Sequence, residues 1–237
     1  DRLMGPDGKP RAVLSLSSGR GPLFRIVPHK GDAWVCNDAH VLTVVHTETG
    51  VIEDVTLSNW LSATPYFRHC RKLFQSQALD FENETPDDAL LIDPYFLGVW
   101  LGDGRRDLAQ GVQISKPDVE IETLCRDVSA SYGLQMRVDR YKSCPTYRIV
   151  AERGQPNALL SALRQCVGDA QHIPRAYLTA SLAARRALLA GLLDTDGYLD
   201  VSASYYEIVQ DRESVISGAV FLARSLGLRA MRSTKVV

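Results

Sequence analysis

Two aspartates, Asp103 and Asp196, close a nine-residue pattern that occurs twice in the chain. The copies read FLGVWLGDG over residues 96–104 and LAGLLDTDG over residues 189–197, and in each copy the Asp precedes the last Gly. A carboxylate at the C-terminus of a helix is unfavourable because the helix dipole is negative there, and two adjacent carboxylates also repel each other. A bound divalent cation relieves both penalties, so the pattern predicts a metal site at Asp103 and Asp196.

Each copy is predicted to form a helix with a defined start and end. Asp93 is expected to cap the first helix with Pro94 in its first turn, and Ser181 to cap the second. Gly104 and Gly197 are expected to end the two helices in the left-handed conformation. A single Asp-Gly after an apolar helix is an ordinary cap and turn, but its repetition favours a functional interpretation.

Small residues lie four apart on one face of each predicted helix. They are Gly98 and Gly102 in the first helix, and Gly191 and Thr195 in the second. Small residues at this spacing allow two helix backbones to approach closely. The two helices are therefore predicted to pack against each other, with their aspartates at the same end.

The residues that follow each copy are also similar. The distance from Gly104 to Gly133 is 29 residues and that from Gly197 to Gly227 is 30. Each interval holds a predicted strand, VQIS over 112–115 and YEIV over 206–209, and then a helical stretch. A repeat of this size predicts two halves related by a pseudo-twofold axis, at about residues 89–178 and 179–237.

These residues resemble the LAGLIDADG homing endonucleases over about residues 89–237. The resemblance implies two central helices, antiparallel sheets that form a saddle on double-stranded DNA, and Mg2+ held by Asp103 and Asp196. The metal would lower the pKa of the attacking water and stabilise the leaving oxygen. The implied activity is site-specific hydrolysis of both DNA strands, and we expect a monomer.

One position departs from the relatives that lie within inteins, which carry Lys-x-Ile-Pro before the second motif. Here residues 170–174 read AQHIP, so Gln171 replaces a lysine that assists catalysis. Loss of such a charge costs a few kcal/mol in a transition state. His172 can substitute in part. The equivalent lysine of the second half is expected near or beyond residue 237, with Lys235 as a candidate. The alternative is thus a degenerate, inactive domain that keeps the fold and DNA binding; an RNA maturase is a third possibility.

The N-terminal third resembles the Hint domain of inteins, which splices proteins by autocatalytic cleavage. Strands are predicted over residues 11–17, 23–27 and 33–35, which favours a partial all-β domain. His40 matches the histidine of a Thr-x-x-His motif and Asn37 replaces the threonine, although His40 can equally be a hydrogen-bonded strand residue without chemistry. The order of motifs is most similar to inteins of a fungal spliceosomal pre-mRNA-processing factor, which implies exteins in cis and a nuclear setting. Because the chain shows neither a leading Cys or Ser nor a terminal His-Asn pair, we expect no splicing as it stands.

Charge differs between the two parts of the chain. Residues 1–96 hold 9 Lys and Arg against 13 Asp and Glu, whereas residues 97–237 hold 18 against 15. Basic residues on segments that alternate like exposed strands suit contact with DNA phosphates, although singly they are also ordinary surface charges. The predicted DNA-contacting residues are Arg105, Arg106, Arg137, Arg140, Lys142 and Arg148.

Composition sets the remaining expectations. The length of 237 residues and 45% hydrophobic content suit a partial β domain over 1–88 and an endonuclease domain over 89–237, an α+β chain in total. The acidic run at residues 80–88 serves as the linker. Five cysteines without CxxC spacing favour a reducing, intracellular compartment. The sequence shows no apolar run of about 18 residues, so no membrane role is expected.

Overall fold

The computed structural model describes residues 1–81, 86–140, 144–168 and 171–234, and it shows a mixed α+β chain with antiparallel strands. The chain divides into two units, one of Asp1–Leu79 with Gly227–Val237 and one of Asp80–Leu226. The predicted Lys142, Lys235 and residues 82–85 of the acidic run lie outside the described residues. No helix in the described ranges has the length and apolar character needed to cross a membrane.

The first unit contains seven strands and two short helices among its described residues. The strands are β1 (Arg2–Met4), β2 (Pro10–Ala12), β3 (Leu23–Ile26), β4 (Trp34–Asn37), β5 (Val41–His46), β6 (Ile52–Thr56) and β7 (Arg71–Leu73). They form the pairs β1–β2 and β3–β4 and a three-stranded sheet in the order β6-β5-β7. A small core of Cys36, Leu42, Val44 and Leu57 joins β4, β5 and the first helix.

The prediction of an all-β N-terminal region is wrong, because this unit also contains α1 (Leu57–Ser62) and α2 (Pro65–His69). The side chain of Thr56 accepts a hydrogen bond from the amide of Asn59, and that of Thr64 accepts one from Phe67. These caps satisfy free amides in the first turn of each helix. Neither helix was predicted from the sequence. The strand predicted over 11–17 is limited to β2, and residues 13–22 form no strand.

The second unit is built around two helices. It comprises α3 (Pro94–Asp103), β8 (Val112–Ser115), α4 (Val119–Ser131), β9 (Gln135–Asp139), β10 (Thr146–Val150), α5 (Ala158–Val167), α6 (Arg175–Leu178), α7 (Leu182–Asp196), β11 (Gly197–Asp200), β12 (Tyr205–Ile208) and α8 (Glu213–Ser225). Short 3-10 helices lie at Asp87–Ala89 and Leu108–Gln110. The buried cluster runs through α3, α4, α5, α7 and α8 and includes Phe96, Leu97, Leu188 and Leu192.

The predicted starts of the two central helices are confirmed. The carboxylate of Asp93 accepts a hydrogen bond of 2.8 Å from the amide of Phe96, and the hydroxyl of Ser181 accepts one of 3.1 Å from Ala184. Phe96–Leu101 of α3 are all buried, whereas α7 combines buried residues such as Leu188 and Leu192 with the exposed Arg186 and Asp194. Their predicted contact is also confirmed, since α3 and α7 pack along their length with backbone against backbone.

The predicted ends of these helices are correct in position but wrong in conformation. Gly104 has φ −73° and ψ 149°, and Gly197 has φ −86° and ψ 147°, so both are extended. Glycine is required for another reason. A β-carbon at Gly104 would lie 2.2 Å from the Trp100 carbonyl oxygen, and one at Gly197 would lie 2.2 Å from that of Leu193. The extended glycine lets the chain turn directly from helix into strand.

The two halves of this unit repeat the same path. After each helix the glycine pairs with an isoleucine of the next strand, Gly104 with Ile114 and Gly197 with Ile208. Helices of 13 residues follow in both halves, α4 and α8, and each ends before a glycine with positive φ. The first half has the sheet order β8-β10-β9, and the second half has the pair β11-β12.

Candidate active site

Close helix packing brings Asp103 and Asp196 to one place at the C-terminal ends of α3 and α7. A β-carbon at Gly102 would lie 2.0 Å from the Thr195 hydroxyl oxygen and 3.5 Å from the carboxyl carbon of Asp196. The residue before Asp103 on α3 therefore touches the residue before Asp196 on α7. Any larger side chain at Gly102 would push the two carboxylates apart.

The electrostatics of the pair match those of two neighbouring carboxylates. Burial raises the pKa of Asp196, and the charge of Asp103 raises it further. Arg212, Lys116 and a hydrogen bond from Gln210 act in the opposite direction. Burial and a like charge both disfavour the ionised form of a carboxylate. A cation placed between the carboxylates would therefore stabilise the ionised form of Asp196.

Lys116, directly after β8, forms an ion pair with Asp103. Its ammonium lies 2.9 Å from Oδ2 of Asp103 and donates a hydrogen bond of 2.9 Å to the carbonyl of Thr195. The side chains are only 21% and 27% exposed, so this is a largely shielded ion pair. One lysine thus connects the ends of both central helices.

Gln210 has the same relation to Asp196 that Lys116 has to Asp103. Its amide Nε2 donates a hydrogen bond of 2.6 Å to Oδ2 of Asp196. Lys116 follows Ile114 by two residues and Gln210 follows Ile208 by two, and both isoleucines pair with the glycine after the helix. The fold therefore places these two residues at equivalent points.

Arg212 connects the predicted Gln171 to this network. The guanidinium donates to Oε1 of Gln171 at 2.9 Å, to Oε1 of Gln210 at 3.0 Å, and to the carbonyl of Leu101. Gln171 in turn donates a hydrogen bond of 2.6 Å to the carbonyl of Arg106. Among the described contacts, Gln171 is linked to Asp196 through Arg212 and Gln210, and both polar atoms of its buried side-chain amide are hydrogen-bonded.

His40 and Asn37 belong to the first unit, whereas the residues just described belong to the second. They begin and end the turn between β4 and β5, where the amide of His40 donates to the carbonyl of Asn37 at 3.3 Å. Both residues are exposed. The carbonyl of His40 accepts a hydrogen bond of 2.8 Å from the amide of Leu57, which fixes the backbone of this turn.

The predicted DNA-contacting arginines lie on exposed positions of the second unit, and some of them are paired with carboxylates. Ion pairs join Arg106 to Asp211 at 2.7 Å, Arg140 to Glu122 at 3.1 Å and Arg148 to Asp139 at 2.7 Å. Arg105 follows Gly104, and Arg137 lies on β9 opposite Arg148 of β10.

The outward face of the sheet β8-β10-β9 is polar. Gln113, Arg148 and Arg137 lie side by side across it, and Ser115, Thr146 and Asp139 form a second row. Val112, Ile114, Tyr147 and Ile149 point to the buried side. A sheet with one basic, polar face and one buried face can present side chains to a nucleic acid.

The carboxylate pair suits magnesium more than a metal that requires a complete protein cage. Within the described ranges, no group of three or more His, Cys, Asp and Glu residues is placed to hold a metal ion. Magnesium usually binds one or two carboxylates and takes its other ligands from water and substrate phosphates. Asp103 and Asp196, close enough at two helix ends for one charge to act on the other, fit this arrangement.

Sequence reasoning missed Lys116, Gln210 and Arg212. Each is distant in sequence from the aspartate that it serves, and the strand pairing after each helix brings it back. The similarity of VQIS and YEIV gave a usable signal, because aligning their isoleucines places Lys116 opposite Gln210. The sequence offered no comparable signal for Arg212.

Comparison with known proteins gives a family match and a similar curated protein. The homing endonuclease family matches residues 172–236, a segment that contains Asp196, Gln210 and Arg212, and it supports a DNA endonuclease. The replicative DNA helicase DnaB of Mycobacterium intracellulare is 29% identical over 264 residues, which take in 100% of this chain and 40% of that protein. The chain thus spans about 40% of the length of this curated relative.

Proposed function

We propose that the second unit is a site-specific, Mg2+-dependent homing endonuclease that hydrolyses both strands of a DNA duplex. The observation that carries the proposal is the meeting of Asp103 and Asp196 at the paired ends of α3 and α7. Burial and the charge of Asp103 raise the pKa of Asp196, which is the expected state of a carboxylate pair that accepts a cation. The homing endonuclease match over residues 172–236 supports the same function.

Asp103 and Asp196 would hold the cation through their carboxylate oxygens. The metal, when bound, supplies acidity to the attacking water and charge to stabilise the leaving oxygen. The glycines of α3 fix the separation of the carboxylates, because Gly102 allows no room for rearrangement beside Thr195. Gln210 orients the carboxylate of Asp196 with its hydrogen bond of 2.6 Å.

Two basic residues supply the positive charge that Gln171 lacks. Lys116 lies at Asp103, and Arg212 lies one hydrogen-bonded residue away from Asp196. Fixed cations aimed at a transferring phosphoryl group stabilise the charge that develops in its transition state. The missing lysine at position 171 therefore does not require a loss of activity.

DNA would bind to the outward face of the sheet β8-β10-β9. Arg137 and Arg148 lie side by side there, with Arg105, Arg106 and Arg140 nearby in sequence. Such residues bind phosphates without reading the base sequence. Recognition of the target would come from the polar side chains of the same face, such as Ser115 and Thr146.

For the first unit we propose a partial Hint domain, so that the endonuclease lies within an intein and exteins flank it in cis. His40 would act on the splice junction, and Asn37 would take the place of the usual threonine. The resemblance to inteins of a fungal spliceosomal factor gave one candidate host. The match to a protein named as a replicative DNA helicase, of which it covers 40%, favours a helicase host instead.

The second candidate is a degenerate domain that binds DNA without cutting it. The engaged amide of Gln171 favours this candidate, because both of its polar atoms already have protein partners, the carbonyl of Arg106 and the guanidinium of Arg212. The ion pairs of Lys116 and Arg106 must also open before these residues contact phosphate.

The substrate for the test is a plasmid with the host coding sequence in which the two segments that flank the insertion are joined directly. It distinguishes an active endonuclease from a degenerate domain. Linear product that requires Mg2+ and disappears with EDTA supports the endonuclease. Specific binding of the joined sequence without linear or nicked product supports the degenerate domain. If the protein neither binds nor cuts this plasmid in preference to an unrelated one, the endonuclease and the degenerate DNA-binding domain are both contradicted.

A further inference from the structure

We propose that Lys116 is a positioning residue that makes the two halves of the site unequal, so that a divalent cation binds more tightly to Asp196 than to Asp103. The inference concerns the cation site directly, and its consequence for DNA rests on the proposed function. Two equivalent positions hold different residues, a lysine in the first half and a glutamine in the second.

The equivalence of the two positions follows from backbone pairing. Gly104 pairs with Ile114 and Gly197 pairs with Ile208, so Lys116 and Gln210 each lie two residues beyond the paired isoleucine. Each residue contacts Oδ2 of the aspartate in its own half, at 2.9 Å and 2.6 Å. The two halves therefore share geometry and differ in charge.

Lys116 already occupies the first half as a tethered cation. Its ammonium contacts one carboxylate oxygen of Asp103 and the carbonyl of Thr195, and both are oxygen ligands of the kind that a divalent cation prefers. With the lysine and aspartate largely shielded from water, their attraction is stronger than that of a surface pair. A metal ion must compete with this ammonium for Asp103.

Gln210 leaves the second half without such a charge. Its Oε1 accepts hydrogen bonds of 3.0 Å from Nε of Arg212 and 3.2 Å from the Arg212 amide, which fixes the direction of the side-chain amide. Its Nε2 therefore points at Asp196 as a neutral donor. Arg212 contributes positive charge through this intermediate residue and forms no hydrogen bond with Asp196 among the described contacts.

The first test measures cation binding without DNA, with Mn2+ as the probe and electron paramagnetic resonance as the readout. Lys116→Gln is expected to tighten Mn2+ binding about 10-fold and Gln210→Lys to weaken it about 10-fold, since each changes one charge beside a ligand. Asp196→Asn is expected to weaken binding at least ten times more than Asp103→Asn, by the same charge argument. Lys116→Arg should retain the affinity of the unmodified chain.

Arg126→Gln is the matched control, because Arg126 is an exposed arginine on α4 paired with Glu122. It removes one positive charge away from the carboxylate pair and should leave Mn2+ affinity unchanged. Equal affinities in the unmodified chain and Lys116→Gln, or equal losses in Asp103→Asn and Asp196→Asn, would overturn the inference.

The second test measures the two strands separately on a duplex labelled differently at each end. If the two halves are unequal, one DNA strand is nicked several-fold faster than the other. Lys116→Gln should reduce the ratio of the two nicking rates. Equal rates in the unmodified chain overturn the inference even if Mn2+ affinities differ. If no variant cuts DNA although the Mn2+ affinities follow the expected order, the proposed function fails and the unequal cation site stands.

Discussion

Gly98 of α3 and Gly191 of α7 lie in direct backbone contact. A β-carbon at Gly98 would lie 3.1 Å from the Cα of Gly191 and 2.3 Å from the carbonyl oxygen of Leu188. A β-carbon at Gly191 would lie 2.3 Å from the carbonyl oxygen of Tyr95. The separation of the two helices, and with it that of the two aspartates, is therefore set by residues without side chains.

Gly98→Ala is expected to lower the free energy of unfolding by about 2–4 kcal/mol, because the new methyl group meets backbone atoms that cannot rotate away. Urea denaturation followed by circular dichroism measures the loss. Gly21→Ala is the control, since a β-carbon there meets no atom within 4 Å. A stability for Gly98→Ala equal to that of the control would show that the helices can separate freely.

Much of this helix pair could be predicted from sequence. Asp93 and Ser181 act as caps through the side-chain chemistry that predicted them, and the small residues Gly98 and Gly191 meet as their spacing indicated. The conformation of Gly104 was not predictable in the same way. Its extended backbone depends on pairing with Ile114, a contact ten residues away that a cap motif does not encode.

The charged groups around the aspartates show the limit of sequence reasoning more clearly. Gln171 was identified from a motif, but its role depends on Arg212, which lies 41 residues later. Lys116 and Gln210 are positioned by strands that return to the helix ends. Long-range pairing of this kind follows from the tertiary fold, so local pattern alone could locate the carboxylates but not their partners.

Asp196→Asn is expected to stabilise the protein at pH 7 in EDTA by on the order of 1 kcal/mol, as removal of strained functional groups commonly does. Burial and Asp103 raise the pKa of Asp196 above its ordinary 3.8, so the folded state holds the proton more tightly than the unfolded state. The contribution of this group to stability is therefore greatest below pH 3.8 and falls as pH rises through the higher folded pKa. Urea denaturation at pH 7 measures the gain.

Mg2+ should make the unmodified chain more stable than Asp196→Asn, the reverse of the order expected in EDTA. A ligand that binds only the folded state stabilises it in proportion to its occupancy, so Mg2+ is expected to raise the stability of the unmodified chain more than that of Asp196→Asn. Thermal denaturation with and without Mg2+ provides the readout. An Asp196→Asn variant that is less stable in EDTA, or that gains as much from Mg2+, would contradict the metal assignment.

Gln171→Lys is expected to destabilise the second unit by about 1–3 kcal/mol, rather than to restore an optimal site. The lysine would lose the acceptor that Oε1 gives to Arg212 and would place a second cation beside that guanidinium. Gln135→Lys is the control, since Gln135 lies on an exposed position of β9. Unchanged stability of Gln171→Lys together with faster DNA cutting would instead support the interpretation of Gln171 as a simple loss of the catalytic lysine.

Arg137→Gln is expected to weaken DNA binding and to lower the slope of log affinity against log salt by about one, as loss of one phosphate contact does. Arg140→Gln should have a smaller effect, because Arg140 must first leave Glu122. Fluorescence anisotropy at several salt concentrations measures both. Arg126→Gln on α4, which packs against the buried side of the sheet, serves as the control, and an equal effect of all three variants would show that only net charge matters.

The most direct test of the central claim is cleavage of the joined host sequence by the unmodified chain, Asp103→Asn and Asp196→Asn, with DNA binding measured in parallel. We predict linear product with Mg2+ from the unmodified chain, none from either variant, and DNA affinities within about threefold of each other, since removing one carboxylate leaves the sheet contacts intact. Cutting by either variant at the rate of the unmodified chain would contradict the account, because the paired aspartates would then not form the active site.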